Sequence, residues 1–362
     1  MPSGRAGPFP LGRPGVTVLE VMSDDLAAIG FNDRWAALLG EYGDAAEPGR
    51  VLRHDGVAVQ VRTPAGERMV KLRRGVEPLT VGDWLALDGE SVLGLLDRAS
   101  LLRRRAAGGE DPQLLAANLD LVLLVCGLDR PVTAGRIQRG EALAWDAGAH
   151  PALVLTKADL ADDLDSIVAD VDAQHPGLER LVVSSVTGLG IDDLRERLAG
   201  HTSVMLGESG AGKSRLVNAV VGADAALVGE VREGDRKGRH TTTNRQLHEL
   251  PAGGVVIDSP GIREVGLAGD EGSVDATFSD IDELGEECYF ADCGHAGEPG
   301  CAIALALEAG EISIDRLDAY QALRKEAASA ARRADEHERR AYERGFTKAV
   351  KAHVQQKPSN RQ

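Results

Sequence analysis

The sequence predicts a multidomain protein with a small N-terminal β-barrel, a central α/β domain and a mainly helical C-terminal domain. Three observations support this fold class. Short alternating apolar runs separated by turn residues fill residues 50–97, which is typical of a barrel. From residue 114 onward, apolar runs alternate with helical patterns, and three cysteines cluster with a histidine beyond them. These changes of pattern divide the chain into four segments, which are 1–48, 49–99, 100–268 and 269–362.

The composition indicates a soluble, acidic protein of a reducing compartment. The net charge of −16 argues against a protein that coats nucleic acid by charge alone, because phosphates attract a positive surface. The longest apolar run, Leu119 to Leu128, is too short to cross a bilayer, and the Pro- and Gly-rich start lacks the apolar core of a signal peptide. Four cysteines suit a metal site better than a disulfide framework. We therefore expect a cytoplasmic protein that makes no contact with a membrane. We also expect a monomer.

The first segment, residues 1–48, carries the weakest signals. Its Pro- and Gly-rich start, expected to be partly disordered, leads to an apolar run at Val16–Val21. Asn32 and Asp33 then form a helix-start signal. No function is assigned to this extension.

Residues 49–99 alternate in the manner of short strands. Val57, Val59 and Val61 are separated by Ala and Gln, and further apolar runs follow a Pro-Ala-Gly turn at 64–66. The pattern fits two kinds of barrel equally well, a spacer and a barrel that binds an oligonucleotide. A basic cluster, either a solvated face or a contact to phosphates, follows the barrel and comprises Arg98, Arg103, Arg104 and Arg105.

From about residue 114 the chain alternates between buried strands and helices, which predicts a parallel sheet covered on both faces. The predicted strands are 119–127, 152–155, 181–183, 203–206 and 254–257. The predicted helices are 134–147, 161–173, 191–198 and the segment after residue 214.

The segment Gly207–Ser214, GESGAGKS, matches the phosphate-binding pattern G-x-x-x-x-G-K-[ST] between a strand and a helix. Its glycines allow successive backbone N–H groups to turn toward phosphates. Lys213 is expected to neutralise the β- and γ-phosphates, and Ser214 to ligate Mg²⁺. The predicted nucleotide contacts of this segment are Gly207, Glu208, Ser209, Gly210, Ala211, Gly212, Lys213, Ser214 and Arg215.

A second group of polar residues follows the strands on one side of this loop. The strand at 152–155 ends in Thr156, Lys157, Ala158 and Asp159, at the sheet edge where ligands bind. A carboxylate there accepts hydrogen bonds from N1–H and the N2 amine of guanine, donors that adenine lacks, so Asp159 is predicted to select guanine. The Lys157 stem can lie along the base. Two serines after the next strand are predicted to present N–H groups to guanine O6, and they are Ser184 and Ser185.

A third group follows the phosphate loop. Gly238–Thr243 form a polar loop, and Asp258 begins an Asp-Ser-Pro-Gly sequence at the end of a strand. Asp258 is predicted to hold Mg²⁺ through water, and the Gly261 N–H to contact the γ-phosphate. Either Thr242 or Thr243 is expected to reach Mg²⁺, and the sequence leaves that choice open.

Together these signals are the motif set of a GTPase in an unusual order. In most GTPases the phosphate loop comes first, whereas here the two guanine-recognition segments precede it. The order predicts a circularly permuted P-loop GTPase domain, which is tolerable because domain termini commonly lie close together at the surface. The segment after Gly261 now leads straight into the C-terminal region.

That region contains Cys288, Cys293, His295 and Cys301 in the spacing C-x4-C-x-H-x5-C. Three thiolates and one imidazole predict a single closed, tetrahedral Zn²⁺ site with a structural role. From Ile303 onward the chain looks helical, and between Tyr320 and Gln362 its basic residues outnumber its acidic ones. This tail is either a solvated helix or an arm that contacts RNA.

The barrel, the permuted motifs and the cysteine spacing together resemble the ribosome small-subunit-dependent GTPase A family, RsgA, over about residues 50–320. Smaller matches agree, and they are Val81–Trp84, Ala117–Asp120 and Gly238–Thr243. The resemblance implies an OB-type barrel and GTP hydrolysis stimulated by the small (30S) ribosomal subunit. It also implies a role in late maturation of that subunit, with 16S rRNA as a partner.

Two positions depart from the usual patterns. Thr156 stands where many members have Asn, which removes one amide contact, while Asp159 should preserve the preference for guanine. Ile262 stands where many GTPases have a water-orienting Gln, so intrinsic hydrolysis should be slow. We expect His240 or a ribosomal group to position the attacking water.

Two other functions are alternatives to a GTPase. A phosphate-loop ATPase or nucleotide kinase is disfavoured by Asp159 and by the motif order. An RNA-binding assembly scaffold, whose nucleotide site serves binding rather than turnover, is disfavoured by the intact Lys213, Ser214 and Asp258.

Overall fold

The computed structural model describes residues 24–72, 77–104, 113–222, 245–258, 271–295, 298–329 and 331–332 of the 362-residue chain. The strands are β1 (Glu47–His54), β2 (Ala58–Thr63), β3 (Gly66–Lys71), β4 (Trp84–Asp88), β5 (Ser91–Leu95), β6 (Leu101–Arg104), β7 (Gln113–Ala117), β8 (Leu121–Gly127), β9 (His150–Thr156), β10 (Arg180–Val182), β11 (Thr202–Gly207), β12 (Gln246–Glu249) and β13 (Val255–Asp258). The helices are α1 (Asp24–Ala28), α2 (Asp33–Gly40), α3 (Ala134–Asp146), α4 (Leu164–Gln174), α5 (Ile191–Leu198), α6 (Lys213–Val221), α7 (Glu271–Thr277), α8 (Ser279–Glu286) and α9 (Ala302–Ala309), followed by a helical segment at 314–329.

The central sheet has the strand order β10-β9-β8-β11-β13-β12, and it is parallel except for β12. Side chains alternate along each strand, so an uninterrupted apolar run is buried on both faces. In β8, Leu121 and Leu123 join the core beneath α5 and α6, whereas Val122 and Leu124 join the core beneath α3. All predicted strands and helices of this region are present, with ends shifted by at most three residues.

Strands β1 to β5 form the predicted barrel. They pair antiparallel in the order β3-β2-β1-β4-β5, and β3 approaches β5, so the sheet curls on itself. Alternate side chains such as Val59, Val61 and Leu85 fill the interior. The barrel is also continuous with the central sheet, because Arg53 of β1 pairs with Gln246 of β12.

Residues 24–46, predicted as part of an extension, fold against the core. The Asn32 side chain caps α2 by accepting a hydrogen bond from the Trp35 N–H at 3.4 Å. The rings of Phe31 and Trp35 lie 5.1 and 6.1 Å from the ring of Trp84 at the start of β4. The apolar run predicted nearer the N-terminus lies outside the described residues.

Arg50 of β1 is buried and joins three parts of the chain. Its guanidinium donates to the Ile29 carbonyl and, at 2.8 Å, to Thr202 Oγ1 at the start of β11. It also lies 5.2 Å from the ring centroid of Trp84. Burial lowers the pKa of Arg50 to about 10, partly offset by the carboxylate of Asp120, so the side chain stays charged at neutral pH. One cation therefore links residues before the barrel, the barrel itself and the central sheet.

The two smaller segments singled out in the sequence, Val81–Trp84 and Ala117–Asp120, meet at a second junction. The Ala117 N–H donates to Val81 O at 2.9 Å, and Asn118 Nδ2 donates to Gly82 O at 3.0 Å. Gly82 has a φ of +93°, and a Cβ there would collide with the Ala117 carbonyl oxygen. These contacts explain why glycine and asparagine occupy their positions.

Arg98, from the predicted basic cluster, has an internal partner. Its Nε and Nη2 donate to the buried Asp83 carboxylate at 2.7 and 2.8 Å. Burial raises the pKa of Asp83, and the arginine opposes that shift. Arg98 therefore stabilises the barrel, while Arg103 is exposed and Arg105 lies outside the described residues.

The C-terminal helices pack against α3. Leu143 of α3 and Phe278, between α7 and α8, belong to one apolar cluster. Arg316, in the helical segment at 314–329, also joins these helices to the end of α4. It pairs with Asp280 of α8 at 2.6 and 2.7 Å and donates to Gln174 O at 2.8 Å. Among the helices that the structure describes, none is long and apolar enough to span a membrane.

The Gly82 junction gives a stability prediction with a matched control. Gly43 has the same φ of +93° but no atom near the position of its Cβ. We expect Gly82→Ala to lower the free energy of unfolding by about 3 kcal/mol or more, whereas Gly43→Ala should cost only about 1–2 kcal/mol of left-handed strain. Urea unfolding followed by tryptophan fluorescence measures both. If both variants lose the same free energy of unfolding, the backbone around Ala117 can accommodate the added Cβ and the proposed steric clash has no energetic effect.

Candidate nucleotide site and metal centre

The predicted phosphate loop connects β11 to α6 at the carboxyl edge of the sheet, between β8 and β13. Gly207 allows close strand packing, since a Cβ there would collide with the Val125 carbonyl oxygen of β8. Gly212 has a φ of +94°, a conformation that favours glycine and turns the chain into the helix. The loop thus lies between a strand and a helix, as the sequence pattern predicts.

Lys213 is buried in the first turn of α6. Its Nζ donates to Gly207 O at 2.7 Å and to Glu208 O at 2.8 Å, so the ammonium group lies within the loop. Burial lowers its pKa. A desolvated ammonium group whose acceptors are carbonyls is well suited to exchange them for phosphate oxygens. Ser209 and Arg215, also predicted to contact the nucleotide, are exposed beside it.

Asp258 ends β13, the strand next to the phosphate-loop strand. Burial raises the pKa of its carboxyl group, opposed by the nearby His248 and Lys213. Ser214 follows Lys213 in the first turn of α6 at the same edge of the sheet. A hydroxyl and a partly buried carboxylate are oxygen ligands of the kind that Mg²⁺ prefers.

Thr156 has a contact that the sequence did not predict. Its Oγ1 donates to Ala211 O of the phosphate loop at 2.6 Å, and Cys126 O lies 3.3 Å away. The hydroxyl therefore ties the end of β9 to the phosphate loop. Threonine at this position retains a side-chain link to the loop, although it has no amide.

Asp159 and Ser184 lie together, as expected for a shared guanine site. Ser184 Oγ donates to Asp159 Oδ1 at 2.5 Å and accepts from the N–H groups of Val186 and Thr187, each at 3.2 Å. Ser184 is buried, whereas the Asp159 residue is exposed and accessible to a ligand. Ser185 is also exposed at the start of the turn.

The structure adds charged residues that no motif contained. Asp129, just beyond β8, accepts from Lys157 Nζ at 2.7 Å and from Arg130. Arg130 and Arg136 both pair with Glu208 of the phosphate loop, at 3.7 and 3.0 Å. Asp129 and Arg130 lie in a polar connection without a recognisable pattern, and Arg136 lies in the first turn of α3. The sequence signal for these three residues is absent, and their connection with the site is their proximity to Lys157 and Glu208 in the two predicted loops.

The four predicted metal ligands form one cluster. The ligand atoms of Cys288, Cys293, His295 and Cys301 lie within 4.8 Å of one another. His295 Nδ1 is 3.6 Å from Cys288 Sγ and 3.7 Å from Cys301 Sγ. An ion about 2.3 Å from sulfur and about 2.0 Å from nitrogen in tetrahedral geometry would separate those atoms by about 3.6 Å. The group therefore fits a tetrahedral metal ion.

Several predicted site residues lie outside the described residues. They are His240, Thr242, Thr243 and Gly261. Their proposed roles stay predictions.

A phosphate loop preceded in the chain by the strands that carry the guanine-recognition segments defines a circularly permuted P-loop GTPase. A sequence model of the RsgA GTPase family matches residues 95–268. The small ribosomal subunit biogenesis GTPase RsgA of Streptomyces avermitilis is 42% identical over 318 residues, which cover 84% of this chain and 86% of that protein. RsgA 2 of Vibrio parahaemolyticus is 41% identical over 285 residues, covering 77% and 79%. The chain belongs to the RsgA GTPase family.

Solved structures agree with this assignment. YjeQ from Thermotoga maritima is similar with a TM-score of 0.58 and 29% identity, covering 78% of this chain and 98% of that one. YloQ, described as a circularly permuted GTPase, shares the fold with a TM-score of 0.57 and 22% identity, covering 78% and 96%. The family, the fold class and the GTPase activity predicted from the sequence are thereby confirmed. The domain boundaries and the roles of individual site residues stay predictions.

The Thr156 contact gives a prediction for nucleotide affinity. Thr156→Val keeps the shape of the side chain but leaves Ala211 O without this donor, which costs about 1–3 kcal/mol for a buried acceptor. We expect the affinity for GDP to fall about tenfold, as measured by isothermal titration calorimetry. Thr156→Ser retains the hydroxyl and should bind GDP as the wild type does. Equal affinities of the Val and Ser variants would contradict the proposed link.

Proposed function

We propose that this GTPase acts in the late maturation of the small (30S) ribosomal subunit and that the subunit stimulates its GTP hydrolysis. The observation that carries the nucleotide part of the proposal is the connected site, in which Thr156 ties the phosphate loop to the segment bearing Asp159. The names of the relatives point to the same process, since both are small ribosomal subunit biogenesis GTPases. We also propose that the chain acts in the cytoplasm and as a monomer.

Guanine selection is proposed to depend on Asp159. Ser184 donates to Oδ1 of this carboxylate and leaves Oδ2 for the N1–H and N2 donors of guanine. Adenine offers no such pair of donors, so an unpaired carboxylate would oppose its binding. Ala158 supports the segment, because its N–H donates to Val183 O at 3.2 Å.

The phosphates are proposed to bind along the loop from Gly207 to Ser214. Lys213 would exchange its two carbonyl acceptors for β- and γ-phosphate oxygens. Ser214 and Asp258 would hold the Mg²⁺ that accompanies GTP, Asp258 through water, and Thr242 or Thr243 would complete its ligands. Mg²⁺ neutralises charge that develops on the phosphates during transfer.

Hydrolysis itself is proposed to need a group from outside the phosphate loop. Ile262 cannot hydrogen-bond to a water, so the attacking water requires His240 or a ribosomal group for its orientation. The Gly261 N–H would contact the γ-phosphate. Because the chain continues from there into the C-terminal helices, loss of the γ-phosphate would release that segment.

The cluster of Cys288, Cys293, His295 and Cys301 is proposed to hold one structural Zn²⁺. Three thiolates with one imidazole leave no open position for substrate or water. The segment between the ligands is rich in turns, so metal ligation would supply stability that apolar burial does not. The surface that would contact 16S rRNA is proposed to include the basic tail between residues 320 and 362.

The central test is phosphate release from GTP and from ATP, each with and without purified small ribosomal subunits. We expect slow GTP turnover that rises at least about tenfold with subunits, whereas ATP stays inert. Subunits that bind without raising turnover would favour the scaffold function instead. If GTP turnover is the same with and without subunits, the chain is a GTPase without the proposed ribosomal role.

The same assay tests His240. In the His240→Ala variant, subunit-stimulated turnover should fall while GDP affinity, measured separately, stays unchanged. Unaltered stimulated turnover would assign the orientation of water to a ribosomal group.

The metal proposal is tested by composition and stability. The wild-type chain should contain about one zinc per molecule by mass spectrometry of the metal. Cys293→Ser should lose most of that zinc and lower the thermal unfolding temperature, since metal binding is coupled to folding. Cys126→Ser, outside the cluster, is the control and should retain the zinc. Full zinc content in Cys293→Ser would contradict the ligand set.

A further inference from the structure

Asp129 lies where the guanine-recognition segment and the phosphate loop come together. It is two residues beyond the end of β8, the strand between β9 and β11. Its Oδ2 accepts from Lys157 Nζ at 2.7 Å. None of the GTPase motifs includes this position.

Lys157 is held in an unusual conformation for a lysine. Its backbone φ is +60°, in the left-handed region that side chains with a Cβ rarely adopt. Its stem passes two glycines, because a Cβ at Gly127 would lie 3.6 Å from Lys157 Cδ and one at Gly212 would lie 4.0 Å from Cε. The side chain therefore extends across the end of β8 and the phosphate loop, and its ammonium group ends at Asp129.

Gly127 also makes room for the carboxylate. A Cβ at this position would lie 2.6 Å from Asp129 Oδ1, too close for a real contact. The glycine at the end of β8 therefore admits both the lysine stem and the carboxylate that binds its end.

Asp129 is ionised at neutral pH. Hydrogen bonds from Arg130 and Lys157 lower its pKa to about 2. Arg130 in turn pairs with Glu208, so a row of alternating charges runs from the guanine-recognition segment to the phosphate loop. The carboxylate is thus a charged acceptor for Lys157 at neutral pH.

The ion pair between Asp129 and Lys157 contributes little to the stability of the fold. Both side chains are about one-quarter exposed, and ion pairs of that kind add little to folding free energy. The ion pair instead restricts the conformation of the Lys157 side chain. A free lysine side chain samples many rotamers and loses that freedom when its stem packs along a ligand. A lysine ordered in advance binds with less entropic cost.

We propose that Asp129 is a positioning residue of the nucleotide site, which holds Lys157 extended across the phosphate loop and so presets its stem for the guanine base. Asp129 thereby sets the affinity for guanine nucleotides without touching them. This inference deepens the proposed function and rests on its assignment of Thr156–Asp159 to guanine recognition.

The test measures the affinity of the full-length chain for GDP and GTP by competition against a fluorescent GDP analogue, without ribosomal subunits. Asp129→Asn removes the charge and keeps the size of the side chain. We expect it to weaken GDP and GTP binding equally, by about tenfold, with an unchanged unfolding temperature. Asp172→Asn is the matched control, because Asp172 forms a comparable exposed pair with Arg180 away from the site, and its affinity should stay within about twofold.

A double-mutant cycle decides whether Asp129 acts through Lys157. Lys157→Ala should weaken binding by itself, and adding Asp129→Asn to it should cause no further loss. Losses that multiply, a loss confined to GTP, or an Asp129→Asn variant with wild-type affinity would each overturn the proposal. Wild-type protein that binds GDP no better than ADP would instead remove the guanine site on which it rests. Failure of subunits to stimulate turnover would leave this inference intact.

Discussion

The pairing of β11 with strands on both sides is the constraint on which the rest of the molecule depends. Its residues from Ser203 to Gly207 pair with β8, and those from Thr202 to Val204 pair with β13. Alternate side chains of this one strand enter the two separate cores, Val204 on one face and Met205 on the other. Its first residue is held by Arg50, and its last begins the phosphate loop. The position of the phosphate loop is therefore set by β11, which is paired on both edges and packed on both faces.

Much of this arrangement could be predicted from local patterns. The phosphate loop, the guanine-recognition segment and the metal ligands each consist of residue types at short, fixed spacings, and continuous apolar runs indicate buried parallel strands. The contact from Thr156 to Ala211 joins positions far apart in the chain. No local spacing encodes such a contact.

The remaining surprises have the same origin. Asp129 sits in an ordinary polar connection, and its role depends on a lysine presented by a neighbouring strand. The helices before the barrel are too short to show a clear period, and their burial depends on Trp84, far along the chain. The sequence of the basic cluster at 98–105 indicates a surface feature, because it does not show that Asp83 is buried beside Arg98. Tertiary neighbours decided each of these cases.

Helix α3 connects the nucleotide site to the metal domain. Arg136, in its first turn, pairs with Glu208 of the phosphate loop, while Leu143, two turns later, packs in the C-terminal apolar cluster. A helix is stiff over this length, so a single rigid element carries both contacts. The order of motifs in the chain supplies a second route, since β13 leads toward the same helices.

The shared sheet has a consequence for distance. Arg53 of the barrel pairs with Gln246, and Gln246 also pairs with Asp258 at the edge where phosphates are expected. The barrel rim is therefore two strand spacings, roughly 10 Å, from that carboxylate. Strand β12 alone stands between the barrel strand β1 and the strand that ends at Asp258. The barrel and this edge of the central sheet are therefore joined by backbone hydrogen bonds within one continuous sheet.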